Sequence, residues 1–333
     1  MKVLHGIEGL HELPRGGALS IGNYDGVHRG HARIVNEMRR LTAGSGAQGH
    51  GLCVVTFEPH PLTILKPAVA PPRLTPVEVK RRLLAAMGVT HLVELPPSPE
   101  VLNLEAQAFF AILRDQVSPR HIVEGPNFNF GKARHGNVQR MIEWSAGTNI
   151  EVHSLAAEEV ALLDLSLVEV SSTLVRYLVA NGRARDAAIC LGRPYVLRGE
   201  VVKGFQRGRT IGIPTANMSV PQQLIPEDGV YAASCTVNGR QHPVALSIGS
   251  LPSFEKRAFQ VEAHLLDFEG DLYGQIIEVE LLDYLREQRR YASVESLKAQ
   301  IDRDLISVRA RIAEDATRPI ATTVFSPASH SAP

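Results

Sequence analysis

The stretch that most constrains this chain runs from Ala18 to His31, ALSIGNYDGVHRGH. It reads as a short buried strand over Ala18 to Ile21, a turn marked by Gly22, Asn23, Asp25 and Gly26, and a helix start carrying His28 and His31. At such a helix start the backbone N–H groups point outward and the helix dipole adds partial positive charge, so an anion held there is stabilised. The two imidazoles, three residues apart, share a face of the first turn, and Gly30 between them leaves the backbone open to a close ligand. The pattern is neither a Walker loop nor a Gly-x-Gly-x-x-Gly loop. It suits nucleotidyl transfer, in which charge building on the α-phosphate and the departing pyrophosphate must be met by fixed donors. The alternatives are a zinc pair or two ordinary surface histidines, and no further Cys, His or carboxylate cluster stands at ligand spacing from them.

A chain of 333 residues has room for two domains, each with its own core. Lysine and arginine together number 35 and so do aspartate and glutamate, so net charge gives no reason to expect nucleic acid or an anionic membrane as a partner. Cys53, Cys190 and Cys235 are odd in number and never form a CxxC, which fits a reducing compartment. No apolar run approaches the roughly 18 residues of a membrane span, and the N-terminus lacks a charged-then-apolar signal pattern. The expected location is the cytoplasm.

Along the first half, Lys2 to His5 reads as an edge strand, Leu52 to Phe57 as a buried parallel strand, Thr75 to Gly88 as a helix, Thr90 to Leu95 as a strand, Leu104 to Val117 as a helix and Arg120 to Gly125 as a strand. This alternation implies a doubly wound, Rossmann-like parallel sheet. Glu58-Pro59-His60-Pro61 falls at the carboxyl end of a strand, where ligands gather in such sheets. Asn127 offers a paired donor and acceptor, and Lys132 and Arg134 offer charge to a phosphate; Phe130 serves equally well as core. Ser171, Ser172 and Thr173 precede an apolar-periodic run, which marks a helix cap, and Arg176 is placed in the first turn. Together they read either as simple capping or as a second anion-binding helix start, clasping the triphosphate of ATP.

Past Gly192 the pattern changes to period-two strands and glycine turns over Tyr195 to Lys203, Gly229 to Val237, Gln241 to Ile248, Ala258 to Phe268 and Ile276 to Leu282, which suggests a compact antiparallel β-barrel. A helix over Ser293 to Ala313 follows. In an extended segment Thr215 and Asn217 point the same way and present hard oxygens to Mg²⁺. The basic loop before them, with Lys203, Gly204, Arg207, Gly208 and Arg209, suits phosphate and equally an RNA, as in OB-like folds. A strand at Phe259 to Leu265 puts Val261, Ala263 and Leu265 on one face, Glu262 and His264 on the other.

These stretches carry a resemblance. GNYDGVHRGH, TFEPHP, the NFNFG loop and SSTLVR resemble, in order, the nucleotidylyltransferase motifs of bacterial bifunctional riboflavin kinase/FAD synthetases, and GRTIGIPTAN, VEAHLLDF, DLYG and Leu285-Arg286 resemble the riboflavin kinase motifs of the same family. The resemblance implies an FMN adenylyltransferase domain over 1–185 and a riboflavin kinase barrel over 186–315; residues 316–333, rich in Ala, Thr, Ser and Pro, read by composition as a disordered tail. It implies ATP as co-substrate with Mg²⁺, and riboflavin, FMN and FAD as substrates and products. By resemblance, His28 and His31 stabilise the transferring phosphate. Gly22, Asn23, Tyr24, Asp25, Gly26, Ser171, Ser172, Thr173, Arg176, Gly204, Arg207, Gly208 and Arg209 bind ATP phosphates. Pro59, His60, Pro61, Asn127, Phe128, Lys132 and Arg286 face flavin, Thr215 and Asn217 hold the metal, and Glu262 is the kinase base. The chain departs from the family at Asn129, usually arginine, at Ile213, usually aromatic, and at Ser247 and Ser253, usually asparagine and threonine. Ile213, Ser247 and Ser253 motivate one alternative, an adenylyltransferase with a non-catalytic flavin-binding barrel.

Overall fold

Short runs of apolar residues, many of them β-branched, make the strands of the first half in the computed structural model, which describes residues 1–44, 51–204, 212–251 and 258–317. In chain order the elements are β1 (Lys2–His5), α1 (Glu8–His11), β2 (Ala18–Ile21), α2 (Arg29–Gly44), β3 (Leu52–Phe57), α3 (Leu62–Leu65), α4 (Val77–Ala86), β4 (His91–Leu95), α5 (Pro99–Leu102), α6 (Ala106–Ile112), β5 (His121–Glu124), β6 (Asn129–Phe130), β7 (Gly136–Asn137), α7 (Val138–Ser145) and β8 (Glu151–Ser154). A six-stranded sheet runs in the order β1, β4, β3, β2, β5, β8, and every pairing in it is parallel. Both β2 and β5 are buried along their whole length, as strands covered on two faces must be. Alternate residues feed different apolar clusters: Leu19, Ile21, Val55 and Ile122 join one with Phe110 and Met141, while Val54 and Leu92 join another with Tyr24, Val35 and Leu84. From β2 the chain builds outward through β3 to β4, then returns to set β5 against the opposite side of β2. That reversal opens a crevice at the carboxyl ends of β2 and β5.

The second half continues with β9 (Glu159–Ala161), β10 (Leu167–Glu169), α8 (Ser172–Ala180), α9 (Ala184–Leu191), β11 (Tyr195–Val202), β12 (Ala216–Ser219), β13 (Gly229–Val237), β14 (Arg240–Leu251), β15 (Ala258–Leu265), β16 (Ile276–Arg286) and α10 (Val294–Thr317). Strands β11, β12, β15, β14, β13 and β16 close into a barrel, antiparallel throughout, which leaves no free sheet edge. Its apolar cluster includes Leu197, Val201, Leu246, Val261 and Val279, together with Val175, Leu178 and Val179 from α8. Helix α9 stops at Gly192, whose φ of 74° suits the left-handed C-terminal cap.

Among the described residues the chain divides into two units, one holding Met1–Pro71 with Val77–Glu159, the other Pro72–Pro76 with 160–317. Helix α8, which the sequence reading places within 1–185, thus packs in the second unit because its apolar face covers the barrel cluster. Of the expected tail, the part beyond Thr317 lies outside the described residues.

Candidate functional site

In the first unit the turn after β2 is fixed from several sides. The Gly22 N–H donates to the Val55 carbonyl at 2.9 Å. The Asn23 carbonyl accepts from Thr56 Oγ1 at 2.9 Å and from Lys80 Nζ at 3.4 Å. Tyr24 and Val27 take left-handed φ of 48° and 42°, uncommon for residues with side chains and tolerated where surrounding contacts over-determine the backbone. Asp25 is buried within the same turn.

The His28 carbonyl accepts the first helical hydrogen bond, from Ala32 N at 3.0 Å, so His28 stands just before α2 and His31 in its first turn. Their rings stack with centroids 3.7 Å apart, and Tyr24 stacks on His31 at 4.6 Å. The His28 backbone N–H donates to His31 Nδ1 at 3.3 Å, which leaves the His31 proton on Nε2. Burial lowers the His31 pKa well below the usual imidazole value, and the neighbouring charges of His28 and Lys80 lower it further. The ring is therefore a neutral hydrogen-bond donor beside a helix start, suited to meeting developing negative charge.

Two groups here were not singled out by sequence. Lys80, 4% exposed on α4, pairs with Glu58 Oε2 at 2.9 Å, so the glutamate of the EPHP stretch anchors a buried cation against the turn. Glu124, at the end of β5, accepts from the Ile21 N–H at 2.7 Å and bonds the Ser20 hydroxyl, which accepts from Tyr24 Oη at 2.7 Å. Burial raises the Glu124 pKa well above the carboxylate range. A chain of hydrogen bonds thus runs from the strand floor to the ring stacked on His31. The legible signal was a serine and a glutamate inside short, mostly apolar parallel strands, ALSI and HIVE.

Pro59, His60 and Pro61 follow β3, and His60 Nδ1 accepts from the Leu62 N–H at 3.1 Å. After β5, Asn127 and Lys132 are exposed, with Lys132 Nζ 3.3 Å from Glu105. Phe130 is core, packed on Phe109 and Trp144, while the half-buried Phe128 stacks on it at 5.5 Å. Asn129, where the family usually carries arginine, donates to the Asn127 carbonyl at 2.8 Å. The turn of Gly22 to Gly26, the EPHP stretch and the loop from Gly125 to Lys132 therefore all follow carboxyl ends of parallel strands.

In the second unit Ser171 caps α8, accepting from the Leu174 N–H at 3.2 Å, and Ser172 and Thr173 open the helix. With the cap at Ser171, Arg176 falls in the second turn, not the first as expected, and its Nε donates to the Pro72 carbonyl at 2.9 Å. On the barrel, β12 pairs with β15 at Asn217↔Glu262 and β14 pairs with β15 at Ser247↔Glu262. Direct partners share a face, so Asn217, Glu262 and Ser247 form one row across three strands. Val261, Ala263 and Leu265 are buried while Glu262 and His264 are half-buried, in period two. A β-carbon on Gly204 would fall 2.2 Å from the Asn217 amide nitrogen, so glycine alone lets this backbone lie against Asn217. His264 Nδ1 donates to the Pro214 carbonyl at 2.7 Å, and Thr215 lines a pocket with Ala216, Phe268, Asp271 and Tyr273. Ser247 Oγ accepts from Gln288 Nε2 at 2.9 Å, so an amide from beyond β16 reaches the place of the missing asparagine. Arg286 grips Asp304 of α10 through Nε at 3.0 Å and Nη2 at 2.7 Å. Arg207, Gly208, Arg209 and Ser253 lie outside the described residues.

Residues 10–173 match the family model for FAD synthetase, and residues 191–312 that for riboflavin kinase. Three curated relatives share the name bifunctional riboflavin kinase/FMN adenylyltransferase. That of Escherichia coli (strain K12) is 35% identical over 312 residues, 93% of this chain and 97% of that protein. That of Pseudomonas fluorescens is 34% identical over 96% of this chain and 100% of its own length, and that of Bacillus subtilis (strain 168) 31% identical over 86% and 89%. A solved structure titled as a macrolide-efflux protein from Streptococcus pneumoniae matches with a TM-score of 0.80 and 26% identity, over 93% of this chain and 99% of that one. Among the described residues no helix is long and apolar enough to cross a membrane. Matches to both halves do not favour a barrel that only binds flavin. The chain belongs to the bifunctional riboflavin kinase/FMN adenylyltransferase family, phosphorylating riboflavin to FMN and transferring AMP from ATP to FMN to give FAD.

Proposed function

We propose that adenylyl transfer is carried out by the residues at the carboxyl ends of β2, β3 and β5, and phosphorylation by the row Asn217, Glu262 and Ser247. The observation that carries the first assignment is the stacked His28–His31 pair with its donor on Nε2. The FMN phosphate attacks the α-phosphorus of ATP, the bond to the bridging oxygen breaks, and pyrophosphate leaves with the electron pair. The histidines keep their protons throughout and meet the charge, so no covalent intermediate is required. Gly22, Asn23, Tyr24, Asp25 and Gly26 shape the phosphate turn, with Lys80 behind it. Pro59, His60, Pro61, Asn127, Phe128 and Lys132 are assigned to FMN. Ser171, Ser172, Thr173 and Arg176 keep the phosphate role that their motif implies.

In the barrel, Glu262 takes the proton of the ribityl hydroxyl as that oxygen attacks the γ-phosphorus. The hydroxyl of Thr215 and the amide oxygen of buried Asn217, lodged against Gly204, are hard donors that fit Mg²⁺. When bound, Mg²⁺ neutralises charge between the phosphates. The pocket of Thr215, Phe268, Asp271 and Tyr273 is assigned to ATP, and Arg286 to the flavin side. The working boundaries are 1–185 and 186–315, and three buried free thiols support a cytoplasmic site of action.

The test incubates the purified protein with riboflavin and Mg-ATP and separates the flavins by chromatography over time. FMN is expected first and FAD after it. His28→Ala should slow adenylylation about 10²-fold or more while FMN still forms, and Glu262→Gln should do the reverse when FMN is supplied. FAD synthesis at full rate in His28→Ala would overturn the histidine assignment.

A further inference from the structure

At the amino ends of β5 and β8, away from the adenylylation residues, the sheet register gathers His121, Glu151 and His153. The pairing is His121↔Glu151 and Val123↔His153. Direct partners share a face, as do residues two apart on one strand, so all three side chains project from the same face of the sheet. Their donor atoms converge. His121 Nδ1 lies 3.2 Å from His153 Nε2 and 3.5 Å from Glu151 Oε2, and His153 Nε2 lies 3.9 Å from that same oxygen. A point equidistant from three atoms so spaced is about 2.1 Å from each, which matches zinc–nitrogen and zinc–oxygen bonds.

Each of these atoms carries a lone pair. A proton on one ring nitrogen satisfies one of the three contacts, whereas a cation among them satisfies all three. The set is also held in place. Arg120 Nη2 donates to Glu151 Oε1 at 2.5 Å, leaving Oε2 to the imidazoles, as the supporting groups of a ligating carboxylate do. His121 is 5% exposed, so its ring is held in place within the sheet. From α2, Glu37 adds negative charge toward His153, partly offset by Arg33 and Arg40. The fourth direction is open, because His153 and Glu151 side chains are 27% and 48% exposed.

We propose that His121, Glu151 and His153 bind one divalent transition-metal ion, zinc by ligand type and distance, with water in the fourth position, and that the ion ties the rim strand β8 to β5. Two imidazoles and a carboxylate are a zinc set. His121 Nε2 is buried with no hydrogen-bond partner among the described residues. It therefore lacks the outer acceptor that strengthens most ligating histidines, which places the expected affinity in the micromolar range.

The test strips the full chain with a chelator, keeps it free of nucleotide, and titrates zinc chloride against a chromophoric chelator at pH 7.5, with Co²⁺ as the spectroscopic probe. One equivalent is expected. His153→Ala and Glu151→Gln should each weaken it at least about tenfold and abolish the zinc-dependent rise in Tm, while His28→Ala retains it, which separates this site from the other histidine pair. Glu151→Gln preserves size and shape, so the result stands even where His153→Ala folds poorly. No zinc uptake by the wild-type chain at 100 µM free metal, taken as about a hundredfold above a micromolar Kd, overturns the proposal, and so does unchanged uptake in both variants.

Discussion

A carboxyl group as deeply buried as that of Glu124 loses its hydration and regains only part of it from the Ile21 N–H and the Ser20 hydroxyl. Its pKa is raised well above the ordinary value near 4.5, so the folded chain keeps a proton that the unfolded chain releases. Stability from this residue is therefore fully present below about pH 4.5 and is lost as pH rises toward the folded pKa, with a slope of at most about 1.4 kcal/mol per unit. Glu124→Gln cannot ionise and still offers an oxygen to Ile21 and an amide to Ser20. The variant is expected to gain stability relative to wild type between pH 5.5 and 7.5, read from urea midpoints at the two values. Parallel behaviour of the two proteins would show that Glu124 is ionised when folded. The same residue explains why the site was only partly legible. The spacing of His28 and His31 is written in the sequence, but the tautomer of His31 and the burial of Lys80 and Glu124 depend on partners that only folding supplies.

Among the elements, the segment at Gly204 lies against Asn217, which the proposed function assigns to Mg²⁺. A β-carbon there meets the Asn217 amide, so in Gly204→Ala either the backbone lifts or the Asn217 side chain is pushed from its place. A displacement of about 1 Å at a positioning group costs on the order of 10²-fold, and that loss is expected in riboflavin phosphorylation, with adenylylation of supplied FMN unchanged in the same chromatographic assay. Elements were legible where apolar pattern alone defines them: β1, β2, β3 and β13 run over the expected residues, and the remaining expected strands differ at their ends. Strands β8 and β12 escaped because Glu151–Ser154 and Ala216–Ser219 are four residues long and at least half polar, and pairing with β5, β11 and β15 makes them strands. For the same reason the His121, Glu151 and His153 cluster was invisible, since sheet register and not sequence spacing assembles it.

For the molecule as a whole, the main fact is that each unit has its own apolar core. Leu246 is fully buried in the barrel cluster, and Leu246→Ala is expected to cost about 2–5 kcal/mol there. After mild heating the variant should lose riboflavin phosphorylation, and FMN adenylylation to the extent that α8, packed on the same cluster, is released, while the parallel-sheet unit still resists limited proteolysis; simultaneous digestion of both units would show that they melt together. The barrel's product is the parallel-sheet unit's substrate, and this gives the two cores a physiological meaning. A lesion in the barrel makes a cell depend on FMN from another source while FAD can still be completed. A lesion at the histidine turn leaves FMN-dependent enzymes supplied and starves those that need FAD, so one gene can fail in two metabolically opposite ways.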